Sequence, residues 1–403
     1  LSEKHKDAAI YFTGPESSRN FMGMSRFLRS VVFWSISFYF LSSCASQKSS
    51  SQTVNSLRLI GEFDLPHRMQ FQGTTVGGLS GIDYNAKDDV YYIICDDRSD
   101  INPARFYTAK IDLGRKGIDT VQLLSATTLL RQDGLPFPNK LKDSFHVPDP
   151  EAIRYYPPSR SLLWSSEGER IVRKDKVILT NPAIYSMSID GRVVDTFPIP
   201  LNMRMSREQM GPRQNGVFEG LSFSPDYRSL FVSLEEPLYQ DGPKAGLYDT
   251  AGWVRIIRYD VATHQPMAQY AYQIDPVVQE PISEGLFIVN GVPDILAIND
   301  HQLLVTERSF STGRLTCNVR IYLADLKEAE NIAGVASLEA QPAKSPVKKT
   351  LLFNMDRLGR WVDNVEGATF GPRLPNGKRS LILVTDDNFS PLERTQFFLF
   401  EIN

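Results

Sequence analysis

One short pattern recurs five times along this chain, and it limits the fold more than any other feature. An apolar strand opens beside a polar or acidic residue, a turn follows, and a second apolar strand ends on an acidic residue. LSGIDY (79–84) leads to YYIICDD, PEAIRY (150–155) to LLWSSE, FEGLSF (218–223) to LFVSLEE, PDILAI (293–298) to QLLVTER, and VEGATF (365–370) to LILVTDD. Ser80 to Asp96, Glu151 to Glu167 and Glu219 to Glu235 each span 16 residues. Asp294 to Glu307 spans 13 and Glu366 to Asp386 spans 20, with the differences falling in the turns. A supersecondary unit recurring along a chain marks a repeat architecture.

The rest of each cycle supplies two more strands. RFYTAKIDL and VQLLSATTL follow the first pair, AIYSMSID and VVDTFPIP the second, VRIIRYDV and MAQYAYQID the third, NVRIYLADL and KKTLLFNM the fourth. The fifth cycle has only TQFFLFEI, and LRLIGEFDL (57–65) can supply its missing strand. These runs are rich in Val, Ile, Tyr and Phe and are bounded by Gly, Pro, Asn and Asp, as strands are. No long stretch shows helical periodicity. The expected fold class is all-β: a β-propeller of four-stranded antiparallel blades over 57–403, with the N-terminal strand closing the ring and hiding its edges. Five blades are visible, and the connections 202–216 and 277–291 leave room for a sixth. One long sandwich, or two sandwiches, is the competing architecture.

The acidic residues should then share one side. Glu151, Glu219, Asp294 and Glu366 start first strands, with Ser80 in the fifth such place; Asp96, Glu167, Glu235, Glu307 and Asp386 end second strands. In an antiparallel pair the start of one strand lies beside the end of the other. Blades of one orientation would therefore bring nine carboxylates to one rim, where their repulsion must be offset. Arg98, Arg170 and Arg308 follow the second strands and can pair with them, and turn amides can donate to them. An all-oxygen ligand set without His or Cys suits a hard cation, Ca²⁺ or Mg²⁺. Such repeated acids can equally serve only to tie turns together.

Other chemistries find little support. His146 lies five residues before Glu151 and could reach the same face, although a surface position suits it as well. There is no Gly-x-Ser-x-Gly elbow, no His-Glu-x-x-His and no phosphate-binding Gly-rich loop. A net charge of −3 without a basic stripe argues against nucleic acid as a partner. Cys95 and Cys317 sit in apolar segments and read as small buried hydrophobes.

The N-terminal region reads as an address. Arg26 and Arg29 precede the apolar run VVFWSISFYFL (31–41), which is short for a membrane span. LSSC then ends on Cys44, as in a lipoprotein cleavage and lipidation site, and Ala45 follows, as in lipoproteins sorted to the outer membrane. The expected organisation is an over-extended start (1–21), a signal peptide (22–43), a serine-rich tether (44–56) and the propeller. The chain would be a monomer held in the cell envelope, at the outer membrane, by a lipid on Cys44.

GGLSGIDY with CDDRS, DPEAIRY with SEGER, FEGLSFSPD with SLEEP, VPDILAI with LVTERS, and VEGATFGP with VTDDN together resemble the phytase-like family named for esterase-like activity of phytase. The resemblance runs from about Gly77 to the C-terminus, and Ser80 departs from its acidic pattern. It implies a repeat domain linked to phosphoesterase activity in exported bacterial proteins. The expected function is a metal-dependent phosphoester hydrolase acting on a phosphorylated small molecule outside the cytoplasm. Glu151, Glu219, Glu366, Arg170 and Arg308 are the candidate catalytic residues; Asp96, Glu167, Glu235, Glu307 and Asp386 are the candidate metal ligands. A non-catalytic surface lipoprotein, binding a ligand or partner with structural ions, is the alternative.

Overall fold

Alternating apolar residues pair into five four-stranded antiparallel sheets in a computed structural model that describes residues 53–248 and 252–403. The expected leader, Cys44 and the tether as far as residue 52 lie outside the described residues. Blade one comprises Leu79–Asn85, Val90–Cys95, Arg105–Leu113 and Ile118–Thr128. Blade two comprises Pro150–Tyr156, Ser161–Ser166, Ala183–Ser188 and Val193–Thr196. Blade three comprises Phe218–Phe223, Ser229–Leu234, Trp253–Asp260 and Pro266–Gln273. Blade four comprises Ile288–Ala297, Gln302–Ser311, Asn318–Asp325 and Lys348–Asn354. Blade five comprises Asn364–Gly371, Arg379–Asp386 and Gln396–Ile402, and Leu57–Asp64 completes it antiparallel to Gln396–Ile402. The fold is thus a five-bladed propeller closed by its N-terminal strand.

Among the described residues there is no sixth blade. The connection 202–216 holds part of a short 3-10 turn and irregular backbone, and 277–291 is a loop that runs into the first strand of blade four.

Apolar side chains fill the spaces between neighbouring sheets. Tyr92 of blade one stacks on Tyr155 of blade two, Tyr156 of blade two on Phe223 of blade three, and Phe353 of blade four meets Phe400 of blade five edge-on. Cys95 and Cys317 are buried and free. The innermost strands approach closely around the axis. A Cβ on Gly81 would stand 2.6 Å from the Glu151 carbonyl oxygen, and one on Gly220 would stand 2.8 Å from the Ile295 nitrogen. Only glycine allows this backbone approach.

Each innermost strand carries a bulge near its start. Register shifts between Leu79 and Gly81, Pro150 and Ile153, Phe218 and Leu221, Gly291 and Asp294, and Val365 and Gly367. Bulges re-aim side chains. In blades one, two, three and five the bulge falls on Ser80, Glu151, Glu219 and Glu366. In blade four it falls on Val292 and Pro293, so Asp294 re-enters the ladder opposite Thr306. That displacement separates the fourth cycle from the others.

Candidate functional site

The bulged acids and the ends of the second strands meet in a cavity of about 640 Å³ at one end of the channel. Asp96, Glu151, Glu219, Glu235, Glu366 and Asp386 line it together with Arg308. Glu167 stands directly behind and accepts from the amides of Gly216 and Val217. Two sets of three carboxylates each offer ligand atoms within 4.8 Å of one another: Asp96, Asp149 and Glu151, and Glu151, Glu167 and Glu219. Glu151 belongs to both.

Among the ring acids counter-charge is sparse, since Lys244 pairs with Glu236 and Arg314 donates to the Glu280 carbonyl. Arg98 lies 3.3 Å from Asp149 and 2.5 Å from Glu169. Arg308 lies 2.9 Å from Glu235 and 3.4 Å from Glu366. Burial therefore pushes several acids upward. Asp96 is raised to about 6, with Arg98 opposing the rise. Glu167 is raised to about 7 by burial and then by Glu235, although two amides stabilise its charge. Glu366 is raised to about 8, with Arg308 opposing. Glu151, Glu219, Asp149 and Asp386 are raised well above the ordinary range by burial and then by neighbouring carboxylates.

Asp96 Oδ1, Asp149 Oδ2 and Arg308 Nε are buried without a hydrogen-bond partner. Unsatisfied buried carboxylate oxygens are costly. Two such oxygens within a three-carboxylate set fit a hard cation. Cys317 also borders the cavity, but burial pushes its thiol up to about 12, so it offers no thiolate.

Three sequence-expected acids and bases lie elsewhere. Glu307 accepts from Tyr272 Oη and Lys349 Nζ, both at 2.7 Å, from Asn290 Nδ2 at 2.9 Å and from the Asp275 amide at 3.1 Å. Asp294 sits deeper in the channel against Arg154. Arg170, on a small hairpin inserted in blade two, donates to the carbonyls of Ser206 and Glu208 and lies over the Tyr239 ring. None of the three borders the cavity. His146 is exposed and pairs with Asp143. Ser80, the departure from the acidic pattern, donates to the carbonyls of Pro150 and Glu151 and so ties blade one to blade two.

Four acids that the repeats did not single out also join the site: Asp149, Asp363, Glu393, and Glu236, which pairs with Lys244 at 2.7 Å. Asp149 and Glu236 adjoin expected positions, as the DPE and EEP stretches show. In the other tandem acids the second member faces away, as period-two alternation requires. Asp97 caps the amides of Asp100, Ile101 and Asn102 and pairs with buried Arg105; Asp387 accepts from the Gly78 and Phe389 amides.

The family described as Phytase-like: Esterase-like activity of phytase matches residues 74–389. The chain belongs to this family. The matched span holds all of the cavity lining in this phytase-like protein except Leu392 and Glu393. No curated protein sequence matches the chain. Among solved structures, an alpha-L-arabinofuranosidase from Lactobacillus brevis is 10% identical with a TM-score of 0.44, covering 80% of this chain and 90% of that one. An endo-arabinase from Bacteroides thetaiotaomicron is 12% identical with a TM-score of 0.41, covering 81% and 94%. A periplasmic gluconolactonase from Pseudomonas aeruginosa is 12% identical with a TM-score of 0.35, covering 80% and 84%.

Proposed function

We propose that this phytase-like propeller is a metal-dependent phosphoester hydrolase. One observation carries the reading: Asp96 and Asp149, two members of one carboxylate set beside the cavity that Arg308 lines, each keep a buried carboxylate oxygen without a partner. The carboxylate ring alone would repel a phosphate, so substrate binding requires a cation, and the oxygen ligands favour Ca²⁺. Asp96, Asp149 and Glu151 would hold it, with Glu167 and Glu219 offering a second position that shares Glu151.

A bound divalent cation would neutralise phosphate charge and lower the pKa of a coordinated water. Arg308 supplies a donor to a non-bridging phosphate oxygen. Hydrolysis forms a bond from water oxygen to phosphorus and breaks the phosphorus–oxygen bond to the alcohol. A ring carboxylate takes the water's proton. Glu366, whose pKa burial raises, is the candidate to give a proton to the departing alcohol oxygen. Export, lipidation at Cys44 and an outer-membrane location complete the reading and rest on the N-terminal sequence.

The test is hydrolysis of bis(p-nitrophenyl) phosphate and an inositol phosphate by the purified chain, with Ca²⁺ or with EDTA. Product release that requires Ca²⁺ and falls about 100-fold in Arg308→Lys is expected. Equal rates in EDTA would remove the metal. No turnover of any ester would leave a non-catalytic binding lipoprotein as the better reading.

A further inference from the structure

The cavity has two unlike walls. Blades one, two, three and five contribute carboxylates, whereas blade four and its turns contribute Arg308, Arg314, Val289, Phe310, Phe287 and Leu315. Arg308 and Phe310 are two residues apart on one strand, so they face the same side. Val289 is the cross-strand partner of Phe310, and the Phe287 and Phe310 rings lie 6.4 Å apart. A guanidinium is thus followed along one strand face by an apolar patch.

The outer part of this patch stands in water. Phe287 is 60% exposed, Leu315 74% and Leu392, in the last connection of blade five and also bordering the cavity, 77%. Single exposed hydrophobes such as Leu141 or Leu201 are ordinary surface. Several that border one charged cavity mark a ligand surface. A purely hydrophilic phosphate such as an inositol polyphosphate would leave this wall unused.

We propose that blade four forms an apolar subsite beside Arg308, and that the substrate is an amphiphilic phosphoester whose alkyl or aryl group lies on Phe287, Phe310 and Leu315. The inference rests on the phosphoester reading of the same cavity. The phosphate occupies the boundary between the walls, where Arg308 and the carboxylate-held cation can both reach it. The apolar group of the ester displaces water from the blade-four wall.

Calorimetric binding to the full chain in Ca²⁺ separates this inference from catalysis, with methyl phosphate and hexyl phosphate as probes. Each fully buried methylene strengthens binding roughly fourfold, so partial burial of the longer chain should give about a tenfold or greater preference for hexyl phosphate. Phe287→Ser with Leu315→Ser should cut that preference to about threefold or less. Both side chains are exposed, so the double variant leaves the core intact. Equal binding of the two probes, or an undiminished preference in the variant, overturns the subsite. If the probes bind equally yet esters are hydrolysed, the subsite falls and the hydrolase stands. If hexyl phosphate is preferred but no ester is cleaved, the subsite stands and the hydrolase falls.

Discussion

Arg154 donates from one guanidinium nitrogen to both carboxylate oxygens of Asp294, each at 2.7 Å, across the central channel. Arg154 belongs to blade two and Asp294 to blade four. The same guanidinium donates to the carbonyls of Ile82 in blade one and Leu221 in blade three, and the Ala368 amide of blade five donates to Asp294. One ion pair therefore touches all five innermost strands. Burial raises Asp294 to about 6, and Arg154 opposes that rise.

Removing one member should leave a buried, uncompensated charge. Asp294→Ala is expected to lose about 3–5 kcal/mol of stability. Urea denaturation measures this directly, and a loss below about 1 kcal/mol would contradict the tie. The Ca²⁺ response should survive in the variant, because neither residue borders the acidic cavity.

The carboxylates divide into cavity acids and spent acids, and thermal melts should separate them. Ca²⁺ stabilises the folded state only where it binds. Glu151→Gln removes a group common to both carboxylate sets and should abolish the Ca²⁺-induced rise in melting temperature. Glu307→Gln should lower stability by about 1–3 kcal/mol, since Lys349 and Tyr272 lose a charged partner, but keep the rise. A normal rise in Glu151→Gln would remove the proposed site.

The raised acids fix the direction of pH dependence. Asp96, Glu167 and Glu366 are held at about 6, 7 and 8, above ordinary carboxylate values, chiefly by burial. In that window the folded protein binds more protons than the unfolded chain, so metal-free stability is favoured at low pH and falls as pH rises through these values. Ca²⁺ binds the ionised carboxylates, so its stabilisation should grow over the same range. Melting in EDTA at about pH 5 and about pH 8 should show the lower temperature at the higher pH. The rise produced by Ca²⁺ should be larger there. A rise equal at both pH values would contradict the assignment.

The anchor is tested apart from the propeller. Cys44→Ser should release the protein from the membrane fraction and prevent its labelling by fatty acid. Continued labelling would show that another residue carries the lipid.

Strand content, five cycles and the closing strand were legible in the sequence because they are local. Alternation and turn residues mark each strand, and an unpaired final strand calls for a partner at the other terminus. Acid positions at strand ends were legible for the same reason in blades one, two, three and five. Blade four was not. Whether Val292 and Pro293 or an acid occupies the bulge depends on which residues of the facing strand pair, and the 13-residue spacing of Asp294 and Glu307 carries no such instruction.

The roles of individual charges depended still more on distant chain. Arg154 and Asp294 are 140 residues apart, Glu307 is engaged from Tyr272 and Lys349, and Arg170 is held by a loop some 36 residues on. Sequence alone determined that strand ends of several blades carry carboxylates toward one rim. Only the packed ring decided which remain unsatisfied there, because the partners that consume a charge are brought to it by closure of the propeller and not by neighbours along the chain.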